Sequence, residues 1–178
     1  MTSSAPSAAS AEKKRIHPTS VFMRSHPAHL LALGFGSGLP RIMPGTFGTL
    51  FGWLSFNVLT WRFPEVFTPW TWAFLISVGF MLGIWACNVT GRNLGVADHG
   101  SMVWDEIVAI WLVLLFVTPA SPSMQLAAFL IFRLFDMAKP PPIRQIERRF
   151  KDGFGVMIDD LVAAFLTLLV IAVCVRIV

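Results

Sequence analysis

Residues 102–117 read MVWDEIVAIWLVLLFV, an apolar run that carries no charge after its opening turn. Two adjacent carboxylates, Asp105 and Glu106, sit at its start. The run is bounded by a Gly-Ser pair before it and by Thr118-Pro119 after it, the usual stop signals. Working outward, comparable runs cover 45–61, 70–89, 123–137 and 156–175, against about 17–25 residues for a membrane-spanning helix. A further stretch, 29–39, is apolar but Gly-rich and is broken by Pro40, Arg41 and Pro44. The pattern predicts an all-α fold: an integral membrane helical bundle of four to five spans, with a membrane-dipping Gly-rich segment before the first full helix. The runs at 102–117 and 123–137 are short, so tilt, local thinning or shelter behind neighbours is expected for them. Gly48 with Gly52, and Gly79 with Gly83, have the small-xxx-small spacing that lets helices approach closely.

Composition points the same way. The 178 residues are 55% hydrophobic and only 13% charged, with mean hydropathy +0.67. A soluble domain carries about 25% charged residues, so this chain lacks the charge to coat a water-facing surface. That excludes a soluble globule, a disordered chain and a nucleic-acid-binding module, despite a pI near 9.7. Cys87 and Cys174 each lie in apolar runs without metal-ligand spacing and are read as buried thiols. The first 29 residues lack the apolar core of a secretory signal. Two regions are expected: 1–28, a Ser/Ala/Pro-rich, disordered cytoplasmic arm with Lys13, Lys14, Arg15 and Arg24, and 29–178, the membrane-embedded domain.

The cations set the orientation. Lys13, Lys14, Arg15, Arg24 and Arg41 precede the first full span; Lys139, Arg144, Arg148, Arg149 and Lys151 lie between the last two. Threading the N-terminus inside puts both groups, and Arg92, on the cytoplasmic side. Trp61, Trp70 and Trp72 then form an outer interfacial belt. Residues 143–150 read as a short amphipathic helix on the anionic inner leaflet.

On this threading Asp105 and Glu106, Asp136, and Asp159 and Asp160 fall at the inner ends of three different spans. At about 1.5 Å per residue they stand on the order of 5 Å inside their helix ends, at one common level. Carboxylates converging there repel unless cations or protons neutralise them. A hard divalent cation on carboxylate oxygens, Mg²⁺ where a phosphate shares the site, meets that need. The bland alternative for each acid is a favourable macrodipole at a helix start, or for Asp136 an i,i+3 pair with Arg133 or with Lys139. Intramembrane carboxylates are costly, and three such coincidences on one side favour a functional site.

Polar and basic residues gather at the same level. Arg41, then Pro44, Gly45 and Thr46 opening a helix, would make a phosphate cradle. Asn88 and Arg92 are one turn apart and could reach a headgroup, although a snorkelling Arg is equally ordinary. Lys139 is followed by three prolines that stiffen the chain. Asp98 neighbours His99, which is either an acid–base group or a plain loop histidine. His17, His26 and His29 have no ligand spacing. Gly34, Gly36 and Gly38 lack the strand–helix setting of a dinucleotide fingerprint and are read as a tight loop.

Four strings, Gly45-Thr46-Phe47-Gly48-Thr49-Leu50, Asp98-His99-Gly100-Ser101-Met102-Val103-Trp104-Asp105-Glu106, Phe132-Arg133-Leu134-Phe135-Asp136-Met137-Ala138-Lys139-Pro140 and Gly155-Val156-Met157-Ile158-Asp159-Asp160, resemble the phosphatidylglycerophosphatase A family in order and register. The resemblance runs from about residue 31 to residue 170. It implies a Mg²⁺-dependent phosphatase of the bacterial inner membrane that hydrolyses phosphatidylglycerophosphate to phosphatidylglycerol and phosphate. It implies catalytic roles among Asp98, Asp105, Glu106, Asp136, Asp159 and Asp160, with metal ligands among Asp105, Glu106, Asp136, Asp159 and Asp160. Arg41, Thr46, Arg133 and Lys139 match its recurring basic and hydroxyl positions and are assigned to substrate, to which the residue reading adds Asn88 and Arg92. The triple proline after Lys139 is longer than the family's Pro-x-Pro and touches only loop geometry.

An ion- or proton-coupled carrier is the rival reading, since buried carboxylates also mark transport paths. Carriers place them near the midplane and carry internal repeats; here the acids stay at one level and no repeat is found. A structural subunit would leave the clustered acids without a purpose. The Asp-Gly-x-x-Ala-Arg string of CDP-alcohol phosphotransferases and the Pro-Ser-Gly-His of haloperoxidase-type lipid phosphatases are both absent.

Overall fold

The computed structural model describes residues 17–177, and every regular element among them is helical. Two short helices, α1 (Ser20–Arg24) and α2 (Pro27–Ala32), lead through a 3₁₀ turn at Gly34–Gly36 into α3 (Pro44–Arg62). Then follow α4 (Pro69–Leu94), α5 (Trp104–Val117), α6 (Pro122–Ala138), α7 (Pro141–Arg149) and α8 (Gly153–Ile177). Local chemistry sets these bounds. Pro27, Pro44, Pro69 and Pro122 stand in first turns, where a missing N–H costs nothing. Thr19, Thr68 and Ser121 cap with their hydroxyls, and Gly95 ends α4 in the left-handed conformation at φ 71°.

Helix α5 is the axis. Its Ile107, Val108, Ala109, Ile110, Val113 and Leu114 are wholly buried, and α3, α4, α6 and α8 pack around it. The paired glycines make that approach possible. A Cβ on Gly48 would lie 2.5 Å from Val103, and one on Gly52 2.5 Å from Ile110. Gly79 faces Val108 and Trp104, and Gly83 faces Met157. Tryptophan N–H groups buried in this apolar interior all need acceptors. Trp104 donates to the Gly79 carbonyl at 2.8 Å, Trp111 to the Gly52 carbonyl at 3.0 Å, Trp72 to Thr60 Oγ1 at 3.0 Å and Trp53 to Gln125 Oε1 at 2.8 Å.

The outer surface is largely apolar, including Phe74, Met81 and Trp85 on α4 and Phe165, Leu169 and Val173 on α8. Two helices, Pro69–Leu94 and Gly153–Arg176, are long and apolar enough to cross a membrane. By contrast α3, α5 and α6 have 19, 14 and 17 residues.

Several sequence expectations change. The arm expected over 1–28 falls mostly outside the described residues, but 20–24 and 27–32 are helical, with α2 laid along α4. His29 holds it there through Asn93 at 2.8 Å. Trp72 is not a belt residue: it is buried against Phe56 and Trp111. Trp61 and Trp70 are exposed. Cys87 is buried as expected, whereas Cys174 is exposed.

The Gly-rich turn seats the start of α5. Val103 N–H donates to the Ala32 carbonyl at 2.8 Å, and Gly38 lies so near the Ser101 carbonyl that a Cβ would overlap it. Gly38→Ala is therefore expected to destabilise the fold by about 1–3 kcal/mol, the usual cost of overpacking. Gly100→Ala, whose Cβ meets nothing within 4 Å, should change stability by no more than about 0.5 kcal/mol. Thermal unfolding in detergent measures both, and equal midpoints would show that 34–39 is not seated on 101–103.

Candidate active site

Asp105 and Glu106 occupy the first turn of α5, and Asp159 and Asp160 the second turn of α8, at the same end of the bundle. Carboxylate oxygens of Asp105, Glu106 and Asp160 all come within 4.8 Å of one another, and the three residues are only 8%, 9% and 4% exposed. Asp105 Oδ1, Glu106 Oε2 and Asp160 Oδ2 are buried without a hydrogen-bond partner. Buried polar atoms are rarely left so, and carboxylates are the costliest to leave. The α5 N-terminus offsets part of that cost for its own two acids, because its free N–H groups carry partial positive charge.

Two cations border the trio. Arg133, one turn before the end of α6, makes a short ion pair with Asp136 and lies 3.8 Å from Glu106 Oε1. Its Nη1 also donates to Thr49 Oγ1 at 3.4 Å, while its Nε has no partner. Lys139 ends α6 in the left-handed conformation, φ 42°, which carries its Nζ to 3.1 Å from Asp159 Oδ2. For a residue with a Cβ that backbone costs about 1–2 kcal/mol, so the Lys139–Asp159 pair is held at some expense. Asp136 and Asp159 thus stand outside the trio, each on its own cation, although the Asp136 carboxyl lies beside that of Asp160. The i,i+3 alternative for Asp136 is what the structure displays.

The first turn of α3 closes the remaining side. A Cβ on Gly45 would overlap Glu106 Oε1 and lie 3.1 Å from Arg133 Nη1, so only glycine lets this backbone rest on the pair. Thr46 Oγ1 is buried there without a partner. Thr49, which sequence reasoning gave no role, is fully buried; its hydroxyl donates to the Gly45 carbonyl at 2.8 Å and accepts from Arg133. A hydroxyl inside a glycine-spaced stretch was the available signal, but packing accounts equally well for a Thr there.

The other expected site residues lie around this centre. Arg41 is exposed on the loop leading into α3. Asp98 is exposed and, with Asp159 and Lys151, lines a cavity of about 260 Å³. His99 is buried, its Nδ1 accepting from Ser101 N–H at 3.1 Å, a turn-shaping bond of the loop-histidine kind. Asn88 accepts the Gly153 N–H on its side-chain oxygen at 2.8 Å, which binds α4 to the start of α8, and it lines the same cavity as Arg92. Arg92 is exposed beside Asn88, on a separate cavity of about 210 Å³ lined by Lys151 and Asp152. A further cavity of about 740 Å³ lies at the opposite end, between α5, α6 and α8, and is mostly apolar.

Comparison with known proteins adds to this geometry. The family model described as Phosphatidylglycerophosphatase A matches residues 30–175. The chain is 41% identical over 144 residues to a protein of that name from Escherichia coli, covering 80% of each. It is 43% identical over 147 residues to one from Haemophilus influenzae, covering 82% of this chain and 87% of the relative. A Bacteroides thetaiotaomicron protein provisionally named a phosphatidylinositol-3-phosphatase is 38% identical over 147 residues, covering 81% and 91%. No solved structure matches.

Arg133 is the counter-ion to buried Glu106 and to the partly buried Asp136, so removing it leaves both uncompensated. Arg133→Met is expected to cost about 3–5 kcal/mol of stability, and the double variant with Asp136→Leu should recover about 0.5–3 kcal/mol relative to additivity. A double-mutant cycle of unfolding in detergent reads this directly, and strictly additive losses would deny the pairing.

Proposed function

The chain belongs to the phosphatidylglycerophosphatase A family, and from that membership we propose that it hydrolyses phosphatidylglycerophosphate to phosphatidylglycerol and inorganic phosphate in bacterial phospholipid synthesis. The observation that carries the reading is the trio Asp105, Glu106 and Asp160, each with one buried oxygen that has no hydrogen-bond partner, beside a guanidinium and a helix N-terminus. An all-carboxylate set that leaves one buried oxygen of each residue without a partner suits a hard divalent cation, and Mg²⁺ is proposed as the cofactor these three residues hold. When bound it supplies Lewis-acid polarisation of phosphoryl oxygens and a lowered pKa for bound water.

The remaining work falls to the chain. Arg133, the Thr46 hydroxyl and the Gly45 N–H at the start of α3 take the non-bridging phosphate oxygens, matching charge where it grows in the transition state. Water approaches from the cavity shared by Asp98 and Asp159. Its oxygen bonds to phosphorus as the bond to the glycerol oxygen breaks; its proton passes to one of these carboxylates, and the departing glycerol oxygen, on the opposite side of phosphorus, takes its proton from water. Lys139 keeps Asp159 in place and adds positive charge at the rim. Arg41 and Arg92, both exposed at this end, contact the rest of the anionic headgroup.

The proposed setting is the bacterial inner membrane, with α3, α5 and α6 crossing alongside α4 and α8 and the acid-bearing end facing the cytoplasm. The apolar coat and the cations on the arm and the 138–155 segment support that orientation. Helix α5, at 14 residues, is only about 21 Å long against a hydrocarbon core of about 30 Å, which sets the trio below the headgroup plane.

Purified protein in micelles should release phosphate from phosphatidylglycerophosphate with Mg²⁺ and stop on chelation. Asp105→Asn, Glu106→Gln and Asp160→Asn should each lower kcat at least about a hundredfold and weaken Mn²⁺ binding read by paramagnetic resonance. Absence of release from the wild type, or full activity in chelator, would overturn the proposal; faster turnover of phosphatidylinositol 3-phosphate would reassign the substrate.

A further inference from the structure

The substrate of such a site carries two acyl chains that must stay in the lipid while the phosphate reaches buried acids, so some seam between helices must admit it. Most seams around the trio are shut by side chains or by backbone contact. Gly48 and Gly52 bring α3 onto α5. The Trp104 indole donates to a carbonyl of α4, and Gly83 and Gly153 bring α4 and α8 together at Met157 and at the Ile84 carbonyl. Ala128 and Phe132 of α6 share one buried cluster with Ala163 and Ala164 of α8. Between α3 and α4 an aromatic row, Phe35, Trp104, Trp111, Trp72 and Phe56, fills the gap.

The seam between α3 and α6 is different. Its far half is closed by the Trp53–Gln125 hydrogen bond and by the Trp53 ring against Phe129, centroids 5.6 Å apart. Its near half, beside the acids, is held by one flexible side chain, Arg133, which meets Thr49 at 3.4 Å and lies against the Gly45 backbone, with no helix-to-helix backbone contact behind it among the described residues. Two buried polar atoms there, Thr46 Oγ1 and Arg133 Nε, make no hydrogen bond. One turn either side of Arg133 on α6, Leu130 and Met137 are 57% and 64% exposed. Leu50, one turn beyond Thr46 on α3, is half-buried. Donors at the floor and apolar side chains at the rim match an amphiphile whose anionic head leads and whose chains trail.

We propose that the near half of the α3–α6 seam is the lateral doorway of the active site, with Arg133 and Thr46 meeting the phosphate and Leu50, Leu130 and Met137 flanking the first acyl carbons of a diacyl lipid phosphomonoester. This rests on the phosphatase reading and adds to it the side from which the lipid comes. The doorway is narrow because Trp53 and Phe129 stop it halfway, so the chains lie outside the bundle and only the head enters.

The experiment compares two substrates on the intact protein: diacyl phosphatidylglycerophosphate in mixed micelles, and its deacylated, water-soluble analogue. Leu130→Trp and Met137→Trp, both at exposed positions that tolerate bulk, should raise KM for the diacyl substrate at least tenfold and leave kcat/KM for the deacylated one within about twofold. Phe74→Trp, equally exposed on α4, should change neither. A non-hydrolysable diacyl analogue with a photoreactive group near the ester should label α3 and α6 peptides ahead of α4 and α8. Equal losses on both substrates, an equal effect of Phe74→Trp, or labelling spread evenly over the helices would overturn the doorway. A wild type inactive on both substrates would instead sink the phosphatase reading, and the labelling pattern would still decide the route.

Discussion

Asp105, Glu106 and Asp160 are held within 4.8 Å of one another in a bundle interior that gives several of their oxygens no partner, and the rest of the molecule is arranged around that constraint. Like charges about 4 Å apart repel by roughly 4 kcal/mol even at an effective dielectric of 20. Of the five acids on α5, α6 and α8 at this end, Asp136 and Asp159 have Arg133 and Lys139 as close partners, and the trio shares only the 3.8 Å approach of Arg133 to Glu106. The imbalance is what a bound cation would relieve, and a phosphate dianion cannot be seated without such relief. Two helix N-termini, those of α3 and α5, lend further positive potential from their backbones.

Holding like charges together requires a scaffold that does not yield, and this one gets its stiffness from close backbone approach. Glycines at 45, 48, 52, 79 and 83 let α3 and α4 settle against α5, its acids and α8. Indole N–H groups then bind exposed helix carbonyls and hydroxyls across those contacts. The Gly34–Gly36 turn and Gly38 brace the α5 start from the other side. None of these features touches the trio with a charge. They fix where α5 begins, and its first turn is where two of the three acids reside.

Much of this was legible in the chain because apolar runs and their punctuation determine helix ends, and helix ends determine which acids share a level. The runs at 45–61, 70–89, 102–117, 123–137 and 156–175 correspond to α3, α4, α5, α6 and α8 with shifts of a few residues. What was not legible is which acid takes which partner. Asp136 reads equally as a ligand or as the i,i+3 partner of Arg133, and only the rotation of α6 decides it. Lys139 reaches Asp159 because its backbone turns left-handed, a choice that local sequence does not announce for a lysine. Asn88 looked like a headgroup contact since it shares a face with Arg92; its use as an acceptor for Gly153 depends on α8, distant in sequence. Trp72 reads as a belt residue from its place at the outer end of its span, yet it packs on Phe56 and Trp111 and donates to Thr60 inside the bundle.

The shortness of α5 links the scaffold to the chemistry. A 14-residue axis inside longer neighbours leaves its N-terminus recessed, so reactants of opposite character need separate approaches to the same acids. The cavity lined by Asp98, Lys151, Asp152 and Asp159 beside Val96, Phe150 and Val156 brings polar groups that water could follow to Asp159. The α3–α6 seam has donors at its floor and exposed Leu130 and Met137 at its edge, which suits a lipid head with its chains left behind. Arg133 stands on the seam side and Lys139 on the cavity side, each tied to the aspartate that faces it. Such a division keeps the hydrocarbon from the water path and the water from the hydrocarbon, the condition that an enzyme acting on the head of a membrane lipid has to meet.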